Sequence, residues 1–151
     1  MQIREDDLTG VEIVCLLREH LKDMYELSPP ESVHALDLGA LRSPDITVWS
    51  AWEGDELLGC GALKELDSRS GEIKSMRTAE THRGRGVASR ILEQIMREAR
   101  RRAYDRLNLE TGPAPEFAPA LALYMRYGFE YRGPFAEYFE DPNSVFMTKE
   151  L

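Results

Sequence analysis

Arginine and glycine alternate in the segment Arg83-Gly84-Arg85-Gly86, directly before a run of residues with helical periodicity. Glycine tolerates a positive φ and, having no Cβ, lets backbone amides come close to a bound group. The arginine side chains are charged donors that match phosphate oxygens, and the first N–H groups of the following helix have no partner within it. These residue types in this order predict a diphosphate-binding turn.

Two common nucleotide-binding loops do not fit these residues. A Walker loop ends in Gly-Lys-Ser/Thr, a sequence that the chain does not contain. A dinucleotide fingerprint needs a third glycine where Ser89 stands. The segment from Arg77 to Arg102 is rich in arginine although the formal net charge of the chain is −8, so the positive charge is local, as a bound polyanion of limited size requires.

The elements that must position this turn are a strand before it and a helix after it. Alternation predicts a strand from Glu72 to Thr78, and a 3.6-residue period predicts the helix, with the apolar positions Ala88, Ile91, Leu92, Ile95, Met96, Ala99 and Ala103. The same signals along the chain predict the order β-α-α-β-β-β-α-β-α-β-β, in which the second helix begins at Pro30 or Glu31 and extends through Leu38. We expect residues 1–151 to form one domain.

Two motifs in this order are similar to those of the GNAT N-acetyltransferase superfamily. The first is Arg83-x-x-Gly86-x-Ala88 after a strand, and the second is Ala120-x-x-Leu123-Tyr124-x-x-x-Gly128-Phe129. The resemblance covers the whole predicted order and implies an α/β (α+β) fold. In that fold a mixed, mostly antiparallel sheet is flanked by helices, and its fourth and fifth strands splay apart to admit the pantetheine arm.

The resemblance also implies acetyl-CoA as the co-substrate, without a metal. The backbone around Met76, Arg77 and Thr78 would then hold the acetyl group and the pantetheine amides. The diphosphate would be held by the turn and the first helical residues, namely Arg83, Gly84, Arg85, Gly86, Val87, Ala88 and Ser89. The family often has Asn where Phe117 stands here, so no pantetheine contact is carried over to that position.

Acetyl transfer to an amine needs an acid and a base. An alkyl amine with a pKa near ~10 is almost fully protonated at pH 7, so a base must assist its attack. By resemblance, Tyr124 is the acid that protonates the departing sulfur, while Glu72 is the first candidate for the base. Alternation places Glu72 on one strand face with Lys74, Met76 and Thr78. His20 and His34 are alternative bases.

The remaining features bound the function. No cysteine lies in a setting typical of a nucleophile, which favours direct attack in a ternary complex. The acidic chain argues against nucleic acid as a partner, and neither a membrane-spanning run nor a signal peptide is present, so we expect a cytoplasmic enzyme. The acceptor, an amine of a small molecule or an exposed peptide amine, stays open, since Lys74 and Arg77 can equally receive a carboxylate.

Two alternatives stay open at this point. The first is a noncatalytic acyl-CoA-binding or regulatory module that keeps the fold but lacks effective proton transfer. The second concerns assembly: the final segment, Val145 to Lys149, can act as an edge strand that pairs with a second subunit to give a homodimer, while Lys149 and Glu150 can equally protect that edge.

Overall fold

A seven-stranded sheet organises the computed structural model, which describes residues 1–151, and its strand order is β1-β2-β3-β4-β5-β7-β6. The strands are β1 (Gln2–Glu5), β2 (Ile46–Glu53), β3 (Glu56–Asp67), β4 (Ser70–Thr78), β5 (Arg106–Thr111), β6 (Glu130–Arg132) and β7 (Val145–Glu150). The helices are α1 (Val11–Leu27), α2 (Leu38–Leu41), α3 (Val87–Arg101) and α4 (Ala118–Arg126).

All neighbouring strands are antiparallel except β4 and β5, which run parallel. Pairing between β4 and β5 begins at Ser70 with Arg106 and ends at Ile73 with Leu109, so the last five residues of β4 have no partner on β5. The predicted mixed, mostly antiparallel sheet with splayed fourth and fifth strands is thereby confirmed. The splay opens towards the turn that leads into α3.

The helix α3 packs on one face of the sheet through the apolar stripe that the sequence predicts. Its buried residues are Val87, Ile91, Leu92, Ile95, Met96 and Ala99. A Cβ on Gly61 would lie 2.5 Å from the sulfur of Met76 and 2.7 Å from Ile91, so only glycine fits beneath the helix at this point. Residues from α3, α4 and the facing strands form a core of eighteen buried side chains on this side.

The opposite face of the sheet is covered by α1 and α2, with a smaller core of eight buried residues. The prediction of a continuous second helix is wrong, since the chain makes one 3₁₀ turn at Pro30–Ser32 and then only the four-residue helix α2. The carboxylate of Asp37 accepts a hydrogen bond from the amide of Ala40 at 2.8 Å, and this cap sets the late start of α2.

The last strand, β7, does not lie at an edge of the sheet. It pairs with β5 on one side and with β6 on the other, so the predicted edge for pairing with a second subunit is wrong. The edge positions belong to β1 and β6, because β7, which follows β6 in the chain, lies between β5 and β6. None of the four helices combines the length and apolarity that crossing a membrane requires.

Candidate active site

The turn before α3 has the open backbone that an anion site needs. Gly84 and Gly86 have φ values of 77° and 79°, in the left-handed region, and a Cβ on either would meet no atom within 4 Å. No side chain caps the first N–H groups of α3, which begins at Val87. A group bound at this turn can therefore reach several backbone amides at a helix N-terminus, where the helix dipole favours negative charge.

The two arginines of this turn have different partners. Arg83 is exposed and forms no ion pair, whereas Arg85 donates to the carboxylate of Glu53 at 2.8 Å and to Nδ1 of His82 at 2.6 Å. Since the guanidinium can only donate, Nδ1 of His82 accepts, and its Nε2–H donates to Glu56 at 2.8 Å. His82 is thus buried and ties the turn to the β2–β3 hairpin, a role that its position in the sequence did not reveal.

A β-bulge interrupts β4 in the middle of the splay. Cys60 of β3 faces Arg77, while Ala62 faces Lys74, so two residues of β4, Ser75 and Met76, lie opposite the single residue Gly61. Ser75 adopts a φ of 54° at this bulge. An extra residue in one strand reverses the alternation of every side chain after it.

The bulge overturns the prediction that Glu72, Lys74, Met76 and Thr78 share one face. Glu72 and Lys74 lie on the α1 side, but Met76 packs beneath α3 beside Ile91, and Thr78 lies opposite Gly59 on the same side as Met76. Arg77 joins Glu72 and Lys74 instead, since it contacts α1 through Glu19 at 2.9 Å and Asp23 at 2.6 Å. The α1 side of β4 therefore holds Glu72, Lys74 and Arg77.

The carboxylate of Glu72 is buried, and one of its two oxygens is hydrogen-bonded. Its Oε2 accepts from the hydroxyl of Tyr138 at 2.5 Å and from Nζ of Lys74 at 3.1 Å, and its exposed fraction is 2%. Nζ of Lys74 also lies 3.0 Å from the Tyr138 hydroxyl, so the three groups form a closed triangle. Burial and the adjacent Glu72 carboxylate raise the pKa of Tyr138, which keeps its proton in this arrangement.

Glu110 completes this polar cluster from β5. Burial raises the pKa of Glu110 to about 7, opposed by the Ser144 hydroxyl and by Lys74 and reinforced by Glu72 and Asp141. The ring of His34 packs edge-on against Tyr138 with 4.9 Å between centroids, and burial followed by Lys74 lowers its pKa. Four chain segments thus meet at the splay: β4, β5, the α1–α2 connection and the β6–β7 loop.

Tyr124 lies on the other side of the sheet from this cluster, within the core that contains α3. It is 5% exposed and packs edge-on against Phe129 with 5.6 Å between centroids. Burial raises the pKa of its hydroxyl, which is the only cause of the shift. The phenol is therefore protonated at neutral pH and available as a proton donor. Tyr127 differs, because its hydroxyl donates to Glu93 at 2.7 Å on the protein surface.

Several buried polar atoms near β4 and the β6–β7 loop have no hydrogen-bond partner, namely Nδ1 of His20, Oγ of Ser75, Nε of Arg77 and Oγ of Ser144. Burial, and then the charge of Arg77, lowers the pKa of His20 to about 4. His20 is therefore neutral at pH 7. Unpaired buried polar atoms are rare in proteins, so their grouping around the splay is typical of a site that receives a polar ligand.

The cysteine in this region is chemically inert. Burial raises the pKa of the Cys60 thiol to about 12, and its Sγ lies 3.5 Å from the carbonyl of Ser75. A thiol in this state is not a nucleophile at neutral pH. No group of three or more His, Cys, Asp or Glu side chains is arranged to hold a metal ion.

Sequence reasoning missed Glu110 and Tyr138 as members of the site. A signal for Glu110 was present, since Asn108 and Glu110 alternate with the apolar residues Leu107 and Leu109 on a strand that follows β4 in space. Tyr138 carries no such signal, because it reaches Glu72 from 66 residues away in a loop without regular structure.

The comparisons with known proteins agree with this geometry. Residues 14–129 match the family described as Acetyltransferase (GNAT) family. The chain is 62% identical over 151 residues, all of both chains, to a Bacillus subtilis protein named uncharacterized N-acetyltransferase YsnE. It is 41% identical over 142 residues to a protein of Azospirillum brasilense named IAA acetyltransferase, with 93% of this chain and 90% of that one covered.

Solved structures place the fold in the same group. A Klebsiella pneumoniae protein whose crystal structure is described as that of an acyl-CoA N-acyltransferase superposes with a TM-score of 0.80 and 30% identity, covering 99% of this chain and 97% of the other. The family match spans most of the chain, and the relatives align over nearly their full lengths. The protein therefore belongs to the GNAT family of acetyltransferases.

Proposed function

We propose that this protein transfers an acetyl group from acetyl-CoA to an amine of a small molecule or of an exposed peptide, by direct attack in a ternary complex. The observation that carries the proposal is the open turn at Gly84 and Gly86 beside a stretch of β4 that has no partner on β5. Residues 1–151 would act as one domain, because β1 and β7, from the two ends of the chain, lie in one sheet.

The residues around the splay fit acetyl-CoA as the co-substrate. The turn and the start of α3 offer backbone amides to a diphosphate, from Arg83, Gly84, Arg85, Gly86, Val87, Ala88 and Ser89. The guanidinium of Arg83 is free to add charge, while Arg85 holds the turn in place through Glu53 and His82. Backbone groups of Met76, Arg77 and Thr78 would form hydrogen bonds with the amides of the pantetheine arm and with the carbonyl of the acetyl group. The bound thioester supplies the activated acetyl group.

Tyr124 is the proposed acid of the reaction. Its buried phenol holds its proton at neutral pH, as a donor to a departing thiolate requires. Glu72 belongs to the proposed acceptor site, where it fixes Tyr138 and Lys74. The buried Cys60 thiol does not favour a route through an acyl-cysteine, so the amine would attack the thioester directly.

Release of free thiol tests this function. Purified protein is incubated with acetyl-CoA and a panel of acceptors that includes polyamines, basic peptides and IAA, the compound in the name of the Azospirillum relative. We expect acceptor-dependent thiol release, reduced by about 10²-fold or more in Tyr124→Phe because the thiolate leaves without a proton donor. Tyr131→Phe is the matched control, since Tyr131 is exposed on β6.

Calorimetry with CoA separates binding from catalysis. Arg83→Ala should weaken CoA binding, whereas Arg18→Ala, on the exposed face of α1, should leave it unchanged. CoA binding without thiol release from any acceptor, together with an inert Tyr124→Phe change, would support a noncatalytic acyl-CoA-binding module instead.

A further inference from the structure

A base for the acceptor amine needs a carboxylate with a lone pair that faces the site. Glu72 meets this condition only through its Oε1. Its Oε2 already accepts two hydrogen bonds, from Tyr138 and Lys74, and 2% of the residue is exposed. Proton transfer to Glu72 would have to use Oε1, since Oε2 is already held by Tyr138 and Lys74. A neighbouring carboxylate without such partners is the better candidate for the base.

Glu110 lies at the point where β4 and β5 separate. The last β4–β5 pair is Ile73 with Leu109, so Glu110 is the first residue of β5 beyond it. Leu107 and Leu109 are buried on the α3 side, and alternation puts Glu110 on the opposite face, next to Phe146, which contacts the ring of Tyr138 at 5.4 Å between centroids. Glu110 is partly exposed and forms no salt bridge.

The groups that face Glu110 come from two elements. Lys74 and Glu72 lie on β4, while Tyr138, Asp141 and Ser144 lie in the β6–β7 loop. Lys74 is already paired with Glu72. The guanidinium of Arg132 on β6 donates to Asn108 of β5 at 3.0 Å. Glu110 and Asp141 form no salt bridge, so their carboxylates can attract an alkylammonium ion. The Ser144 hydroxyl lies close enough to Glu110 to oppose the rise in its pKa, and it can accept or donate a hydrogen bond to an acceptor bound there.

We propose that Glu110 is the base that removes the first proton from the ammonium group of a primary alkyl amine acceptor, while Glu72 acts as a positioning residue that fixes Tyr138 and Lys74 beside it. The inference rests on the proposed acetyltransferase function and names the acceptor class for that site. A raised pKa near neutrality supports the assignment, because both protonation states are then accessible at pH 7.

The protons balance in this scheme. The ammonium loses one proton to Glu110, and the neutral nitrogen forms a bond to the acetyl carbon as the carbon–sulfur bond breaks. The second nitrogen proton is lost as the amide forms and replaces the one that Tyr124 gives to sulfur. The proton held by Glu110 passes to water, so each turnover releases one proton per amide formed.

The test compares Glu110→Gln with wild type between pH 6 and 9, using the best alkyl amine of the acceptor panel. At pH 7 we expect kcat/KM to fall by about 10²- to 10³-fold in the variant. The deficit should shrink about tenfold for each pH unit up to pH 9, because the free amine becomes more abundant. An aryl amine that is neutral at pH 7 should be acetylated at nearly the wild-type rate.

Glu130→Gln is the matched control, since Glu130 is exposed on the edge strand β6 and the change removes the same charge. The proposal is overturned if Glu110→Gln stays within about threefold of wild type at pH 7, far short of the loss expected when a base is removed. A loss that is equal at every pH and for both amines would also overturn it. If Glu72→Gln alone shows the pH-dependent loss, Glu72 is the base. Wild type that acetylates no amine overturns the proposed function itself.

Discussion

The two faces of the sheet bury different kinds of side chain. On the α3 face, eighteen buried side chains form a continuous core, in which aliphatic residues of α3 and the strands pack directly together. On the opposite face, next to the splay, the ionisable groups include the buried Glu72, its partner Lys74 and the half-buried Glu110. Apolar packing lowers the free energy of the folded state, whereas buried charges cost free energy unless they are paired. Substitutions on the two faces should therefore change the free energy of unfolding by different amounts and even in opposite directions.

The largest effect is expected on the α3 face. Ile95→Ala removes a fully buried side chain beneath the helix and leaves a cavity, so the free energy of unfolding should fall by about 3 to 4 kcal/mol. Urea denaturation followed by circular dichroism measures this change. Met125→Ala, on the exposed side of α4, should stay within about 0.5 kcal/mol of wild type. Equal losses in the two variants would remove the basis for treating the α3 face as the stabilising one.

The buried pair on the opposite face is the next test. Lys74→Met leaves Glu72 buried with Tyr138 as its only hydrogen-bond donor, and the expected loss is about 3 kcal/mol. The double variant Lys74→Met/Glu72→Gln removes the stranded charge and should recover most of that loss. Lys22→Met, an exposed change on α1, serves as the control. A double variant that is no more stable than Lys74→Met would contradict the pairing argument, and urea denaturation of the three variants measures these losses.

Glu110 should show the opposite sign. Its pKa in the folded state is raised to about 7, so the stability that its protonated form provides is complete below its ordinary pKa near 4.5 and is lost as the pH rises through 7. Glu110→Gln should therefore be more stable than wild type by about 2 kcal/mol at pH 8 and not at pH 4. Thermal unfolding at both pH values measures this difference. A variant that is less stable at pH 8 would show that Glu110 supports the fold.

The smallest effect concerns His20 on α1. Its pKa in the folded state is about 4, below the ordinary value of 6.5, so its contribution to stability is complete above pH 6.5 and is lost as the pH falls towards 4. The free energy of unfolding should decrease by about 1.5 kcal/mol more in wild type than in His20→Gln between pH 6.5 and 5. Denaturant titrations at the two pH values provide the measurement. If the free energy of unfolding decreases equally in both proteins, His20 is not the cause of the lower stability at pH 5.

The same division separates what the sequence could and could not predict. The helix α3, the turn at Gly84 and Gly86 and the order of the elements follow from local periodicity and glycine positions, and the structure has them as predicted. The place of β7 inside the sheet depends on pairing with β5, which local patterns do not encode. The contact of Glu72 with Tyr138 joins residues far apart in the chain, so the sequence could offer Glu72 as a base without showing that its Oε2 is already hydrogen-bonded.

The predicted strand face failed for a more local reason. Alternation assumes that every residue of β4 opposes one residue of β3, and the bulge at Ser75 and Met76 breaks that rule. Nothing about the pair Ser75-Met76 distinguishes it from an ordinary strand dipeptide, and the left-handed φ of Ser75 is unusual for a residue other than glycine. The direction of the β4 side chains was therefore predictable only as far as Lys74, the last residue before the bulge.

The bulge shifts the alternation of side chains along β4 by one residue. Upstream of it, even-numbered side chains face α1; downstream, Arg77 takes that direction and Met76 and Thr78 turn to α3. Deleting the single residue Ser75 would remove the bulge and pair Met76 directly with Gly61, while Met76 and Thr78 stayed on the α3 side and Arg77 on the α1 side. Within its nine residues β4 supplies apolar side chains beneath α3 and charged side chains to the α1 side, and the bulge decides which residues face which side.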